Sequence, residues 1–108
     1  MNPVRRRTER VQDRGSPGTP PRYNVIILND EEHTFEYVID LLTSLFRHEL
    51  NRAIELTWQI HLVGEAVVCT CHKERAELKR DQVLAAGADP LLGTSTGPLP
   101  CLIEPCAS

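Results

Sequence analysis

The sequence predicts an α+β domain with the element order β-α-α-β-α-β, three helices packed on a small three-stranded sheet. Three observations carry this expectation. Two short apolar runs, Val25-Ile26-Ile27-Leu28 and Ala66-Val67-Val68-Cys69, are rich in β-branched residues and too short for helices. Between them, apolar positions recur at helical spacing, interrupted only by His48-Glu49. After the second run comes a charged helical segment, then a breaker-rich loop and a last apolar stretch.

The first strand is expected over Tyr23–Leu28. Helix one is expected from about Thr34 to Arg47, with Phe35, Val38, Ile39, Leu42, Leu45 and Phe46 as its apolar stripe. Helix two is expected over Leu50–Leu62. The two-residue link between the helices implies antiparallel packing. Gly64 suits a left-handed cap at the end of helix two. The second strand covers Ala66–Cys71. Helix three runs Lys73–Ala86, with Ala76, Val83 and Ala86 inward and Gly87 after it. Asp89-Pro90 and Gly93-Thr94-Ser95-Thr96-Gly97-Pro98 make a loop. Leu99–Glu104 is the last strand, and Pro100, lacking an N–H, places it at an edge.

At 108 residues the chain has room for one domain and one modest core. Its net charge of −3 is unevenly spread. Residues 1–22 carry six arginines against Glu9 and Asp13, a net of +4, which leaves −7 for the rest. Arg5-Arg6-Arg7 repel one another, and Gly15-Ser16-Pro17-Gly18-Thr19-Pro20-Pro21 sustains neither helix nor central strand, so residues 1–22 are expected to form a disordered basic arm ahead of a domain at 23–108. Composition does not choose between an interaction tail and a solvated end. A basic arm on an acidic body does not match a nucleic-acid-binding domain. No apolar run approaches the roughly 20 residues of a membrane span. The amino terminus lacks the apolar core of a secretory signal, so the cytoplasm is the expected compartment.

In that compartment Cys69, Cys71, Cys101 and Cys106 are expected reduced, as small apolar residues. Cys69-Thr70-Cys71-His72 has C-x-C rather than C-x₂-C spacing and no second matching pair, so no metal site is expected. No nucleophile–base pair or cofactor motif is recognisable, and neither an enzyme nor a cofactor is expected.

The chain is organised around Leu28-Asn29-Asp30-Glu31-Glu32-His33-Thr34-Phe35, where the first strand hands over to helix one through an acidic turn. Carboxylates above an apolar floor suit a ligand with a cationic head and a greasy body. Acidic residues before a helix are equally what its dipole prefers, at roughly 0.3–1 kcal/mol each. Composition alone leaves both readings open.

A resemblance separates them. Tyr23-Asn24-Val25-Ile26-Ile27-Leu28-Asn29-Asp30, with Phe35-Glu36-Tyr37-Val38-Ile39, resembles the opening of the ClpS family of Clp protease adaptors. The likeness continues through Ala53, His61-Leu62-Val63-Gly64-Glu65-Ala66 and Glu74-Arg75-Ala76-Glu77-Leu78-Lys79 to Pro98-Leu99-Pro100-Cys101-Leu102-Ile103-Glu104. It covers residues 23–104, and the stretch between Gly87 and Gly97 is longer than usual. The resemblance implies a non-catalytic adaptor that takes N-degron substrates, those with a free amino terminus and a bulky hydrophobic first residue. Such adaptors deliver them to the hexameric AAA+ ATPase of the Clp machine, of ClpA or ClpC type. By position, Asn29, Asp30 and His61 would engage the α-amino group and first peptide unit, with His33 beside them. Phe35, Val38, Thr57, Ile60 and Leu99 would form the side-chain pocket. By spacing alone most of these are ordinary core residues. Glu74 and Lys79 would dock on the ATPase, although on charge alone they are a solvated helix face. The arm would correspond to the family's flexible extension, and the protein is expected to be a monomer.

The chain departs from the family at three of these positions and at the neighbouring Thr34. The family usually has threonine at His33, proline at Thr34, methionine at Phe35 and a larger apolar residue at Thr57. These leave a second expectation open: an interaction module of the same fold with lost or altered amino-terminal recognition.

Overall fold

The computed structural model describes residues 20–106 apart from 92, 94 and 96. Its elements are β1 (Arg22–Leu28), α1 (Phe35–Ser44), α2 (Leu50–Val63), β2 (Glu65–His72), α3 (Lys73–Ala86) and β3 (Cys101–Pro105). The order and class are those expected. The arm falls, up to residue 19, outside the described residues.

The sheet is antiparallel in the order β2-β1-β3. Its central strand β1 is hydrogen-bonded along both edges, and Val25, Ile26 and Ile27 within it are all buried. Val25 and Ile27 face the helices and share one core with Val38, Leu41, Leu42, Ala53, Leu56, Ile60, Ala76 and Val83. Alternation puts Ile26 on the other face. The register skips Val68, since Val25 pairs with Cys69 but Ile26 with Val67. This bulge shifts the phase of β2, so Ala66 and Val68 point inward before it and Cys71 after it.

Helix one differs from expectation at both ends. Thr34 is its N-cap, its hydroxyl accepting from the Tyr37 N–H at 3.1 Å, rather than its first residue. The helix stops at Ser44, short of Arg47, although Leu45 and Phe46 stay half-buried. The Thr43 and Ser44 hydroxyls both donate to the Asp40 carbonyl, an alternative to continuing the ladder. Arg47 then turns left-handed, at φ 62°. Gly64 caps α2 as expected, at φ 106°, with its N–H on the Ile60 carbonyl at 2.9 Å. Two further corrections follow from packing: Ala86 is exposed rather than inward, and Leu99-Pro100 precede β3 instead of opening it. The Pro100 carbonyl still accepts from the Leu28 N–H at 3.1 Å. No helix among the described residues is long and apolar enough to cross a membrane.

Candidate functional site

Two backbone hydrogen bonds hold the end of β1. The Leu28 N–H reaches the Pro100 carbonyl, and the Asn29 N–H reaches the Gly64 carbonyl at 2.9 Å. The first brings Leu99 under the strand end. The second ties the Asn29-Asp30 turn to the carboxyl end of α2, where His61 occupies the last turn. Residues distant in sequence thereby meet at one place.

That place is a cavity with about 270 Å³ of empty space including its open mouth. Asn29, Asp30, His33 and His61 line its polar side, and Phe35, Val38, Thr57, Ile60 and Leu99 its apolar side. Val38, Thr57, Ile60 and Leu99 are all buried, so they are core residues and cavity wall at once. Thr57 donates its hydroxyl to the Ala53 carbonyl at 2.7 Å, one turn back in α2. That donor is spent on the backbone, and the position is less polar than its composition suggests.

Asp30 is shaped by its own turn. Its Oδ1 accepts from the Glu32 N–H at 3.1 Å, and its Oδ2 lies 2.8 Å from His33 Nδ1. The His33 side chain is 1% exposed and that of Asp30 20%. His33 Nε2 faces the Gly87 carbonyl at 3.4 Å, so both ring nitrogens have protein partners. His61 is exposed, and among the described residues its ring nitrogens have no hydrogen-bond partner. The site thus offers a carboxylate, an imidazole and the negative end of the α2 dipole above an apolar chamber. A cation carrying an apolar group meets complementary surfaces at both ends.

Sequence reasoning missed two residues here. Asp89, within an apparent loop, is 1% exposed. Its Oδ2 accepts from the Thr34 N–H at 2.6 Å and the Thr34 hydroxyl at 2.8 Å, and its Oδ1 from the Leu91 N–H at 2.8 Å. The long loop therefore anchors the amino end of α1, and Tyr37 Oη reinforces it by donating to the Gly87 carbonyl at 2.8 Å. Burial opposes charge at Asp89, but the Thr34 and Leu91 donors outweigh it and hold the carboxyl below its ordinary value. Burial, then the Asp89 charge, pushes the Tyr37 hydroxyl up. The second missed residue is Trp58, whose ring meets Phe35 edge-on at 4.9 Å between centroids. Its only sequence signal is helical spacing, three positions before His61.

A folded carboxyl titrating below its unfolded value stabilises above the unfolded pKa, about 3.9, and that stabilisation is lost as pH falls through the folded value. Asp89→Asn puts an amide donor against N–H groups and is expected to lower the melting temperature at pH 7. It is also expected to flatten the acid limb of a melting-temperature profile measured by circular dichroism below about pH 4. An unchanged profile would remove Asp89 as the anchor.

Glu74 and Lys79 do not join the cavity. Glu74 is exposed in the first turn of α3. Lys79 donates to the Leu45 carbonyl at 2.8 Å and lies over the Phe46 ring, closing the end of α1. Cys69 and Cys71 have sulfurs 3.7 Å apart, both as thiols. Burial, then Cys69, pushes the Cys71 thiol up, and burial takes the Cys101 thiol to about 11. Such thiols are poor nucleophiles and poor ligands.

The chain is similar to known proteins over most of its length. A family model described as "ATP-dependent Clp protease adaptor protein ClpS" matches residues 18–94. An ATP-dependent Clp protease adapter protein ClpS of Thermosynechococcus vestitus is 43% identical over 68 residues, 62% of this chain and 72% of that protein. One of Neisseria meningitidis serogroup A is 31% identical over 85 residues, 79% of this chain and 78% of the relative. The solved structure of Agrobacterium tumefaciens ClpS2 bound to L-phenylalaninamide superposes with a TM-score of 0.70 at 30% identity, covering 82% of this chain and all of that one. The chain, with its helices on one face of a three-stranded sheet, belongs to the ClpS family of ATP-dependent Clp protease adaptors.

Proposed function

We propose that this protein binds N-degron substrates by a free amino terminus carrying a bulky hydrophobic residue. It delivers them to a Clp AAA+ ATPase hexamer and performs no catalysis itself. The observation that carries this is the single cavity joining Asp30, Asn29 and His61 to an apolar chamber. An α-ammonium presents donors only, so once desolvated it needs an anion and neutral acceptors. Asp30 supplies the charge, and the Asn29 side-chain oxygen and a His61 ring nitrogen the acceptors. His33 acts through Asp30, whose Oδ2 it fixes. The ligand in the solved relative, L-phenylalaninamide, pairs a free α-amine with a benzyl group, which correspond in chemistry to the polar and the apolar side of this cavity. Glu74 and Lys79 remain the proposed contact with the ATPase, and the basic arm the element used in hand-off. The protein acts as a monomer in the cytoplasm in this reading, with no nucleic acid, membrane, metal or cofactor involved.

The test is a titration with peptides differing only at their first residue or its acetylation. Free-amine peptides starting with Phe or Tyr are expected to bind best, Leu less well, and Ile and Val worst. Edge-to-face contact with Phe35 adds roughly 0.5–1.5 kcal/mol for an aromatic ligand, and a β-branched residue crowds its own backbone. Acetylation removes the charge and is expected to cost roughly a hundredfold or more in affinity. Equal binding of acetylated and free peptides would exclude recognition of the amine and favour the altered-recognition module instead.

A further inference from the structure

We propose that Trp58, which lies outside the cavity, sets which first residue the site accepts by holding the Phe35 ring at the mouth. This inference rests on the adaptor reading above. Trp58 is 49% exposed, an unusual amount for a large aromatic that serves no core. Its neighbours explain its position. The Phe35 ring stands edge-on to Trp58 at 4.9 Å and 86°, and to His61 at 5.3 Å and 71°. Trp58 and His61 complete the triangle at 6.0 Å and 75°. Phe35 and His61 line the cavity, whereas Trp58 does not.

The consequence concerns shape. With Phe35 in this position the cavity interior has room for about one water, so a bulky side chain enters only if the ring yields. Phenylalanine has two side-chain torsions, and it pivots into whatever space its outer neighbours leave. Trp58 closes that outer space. A flat ring can slip in against the Phe35 edge with a small displacement, while a branched aliphatic head needs a larger one. Trp58 therefore penalises Leu more than Phe, acting as a positioning residue through Phe35 and not through contact with the first side chain.

The experiment measures affinities of labelled free-amine peptides starting with Phe or Leu, against the full chain. The variants are wild type, Trp58→Ala, Trp58→Phe, Phe35→Met, and the double variant Phe35→Met with Trp58→Ala. Trp58→Ala is expected to narrow the Phe-to-Leu ratio about threefold to tenfold, the range of an aromatic pair, while Trp58→Phe retains most of it. In the Phe35→Met background, Trp58→Ala is expected to change the ratio by less than about twofold, because the side chain it acts through is gone. The chain has one tryptophan, so its emission should shift on adding the free Phe peptide to wild type and not on adding the acetylated one. A ratio unchanged by Trp58→Ala, or changed equally with and without Phe35, would overturn the brace. Wild type that binds no free-amine peptide would overturn the adaptor reading itself, and this inference with it.

Discussion

Asp30→Asn is expected to weaken binding of a free-amine Phe peptide roughly thirtyfold to a hundredfold, about 2–3 kcal/mol, while leaving the melting temperature nearly unchanged. Removing one partner of a fully buried pair typically costs about 3–5 kcal/mol. The Asp30 side chain keeps 20% of its exposure, so solvent screening lowers the expected value. The fold tolerates the change because the turn can be rebuilt around an amide. The Asn Oδ1 can accept from the Glu32 N–H as Asp30 does now. Its amide would face His33 Nδ1, and His33 can take the tautomer that accepts there while Nε2–H donates to the Gly87 carbonyl. Only the negative charge disappears. Calorimetric titration checks the affinity and a thermal melt checks the fold. Wild-type affinity in the variant would mean that Asp30 is not the counter-charge.

The strand, the acidic turn and the helix that follows were legible from spacing because their periodicities are local. Val25, Ile27, Val38 and Leu42 are buried as alternation and helical repeat require. Local pattern could not distinguish a wall residue from a core residue. Val38, Ile60 and Leu99 satisfy both descriptions, and only the resemblance singled them out beforehand. Features made by distant contacts were invisible. The Val68 bulge depends on pairing with β1, and the end of α1 depends on Lys79, 34 residues away from Leu45. Asp89 carried breaker chemistry, Asp before Pro, and nothing local showed that its carboxylate would be buried against Thr34. The hydroxyl of Thr57 was legible as a departure, but its direction was not. A helical threonine can turn its donor to the carbonyl four residues back, and here it does.

Leu99→Ala is expected to have the largest effect on stability, and to change binding in a way that stability alone does not explain. Leu99 is 1% exposed, packs in the common core and floors the cavity. Truncating a buried leucine costs about 2–5 kcal/mol, part lost burial and part residual cavity. For a domain of this size that corresponds to a fall of roughly 10–25 °C in melting temperature. Collapse around the site is restricted, since Pro98 and Pro100 fix the backbone on either side and the Pro100 carbonyl is held by Leu28. The space left therefore stays continuous with the ligand chamber instead of closing. A first residue that reaches deeper refills it, so the penalty is partly recovered on binding. Peptides starting with Phe are expected to raise the melting temperature of Leu99→Ala by more than they raise that of wild type, and peptides starting with Leu by less than Phe does. Thermal melts at matched saturation with the two peptides make the comparison. Equal peptide-induced shifts in both proteins would place Leu99 in the core alone and take it out of the binding chamber.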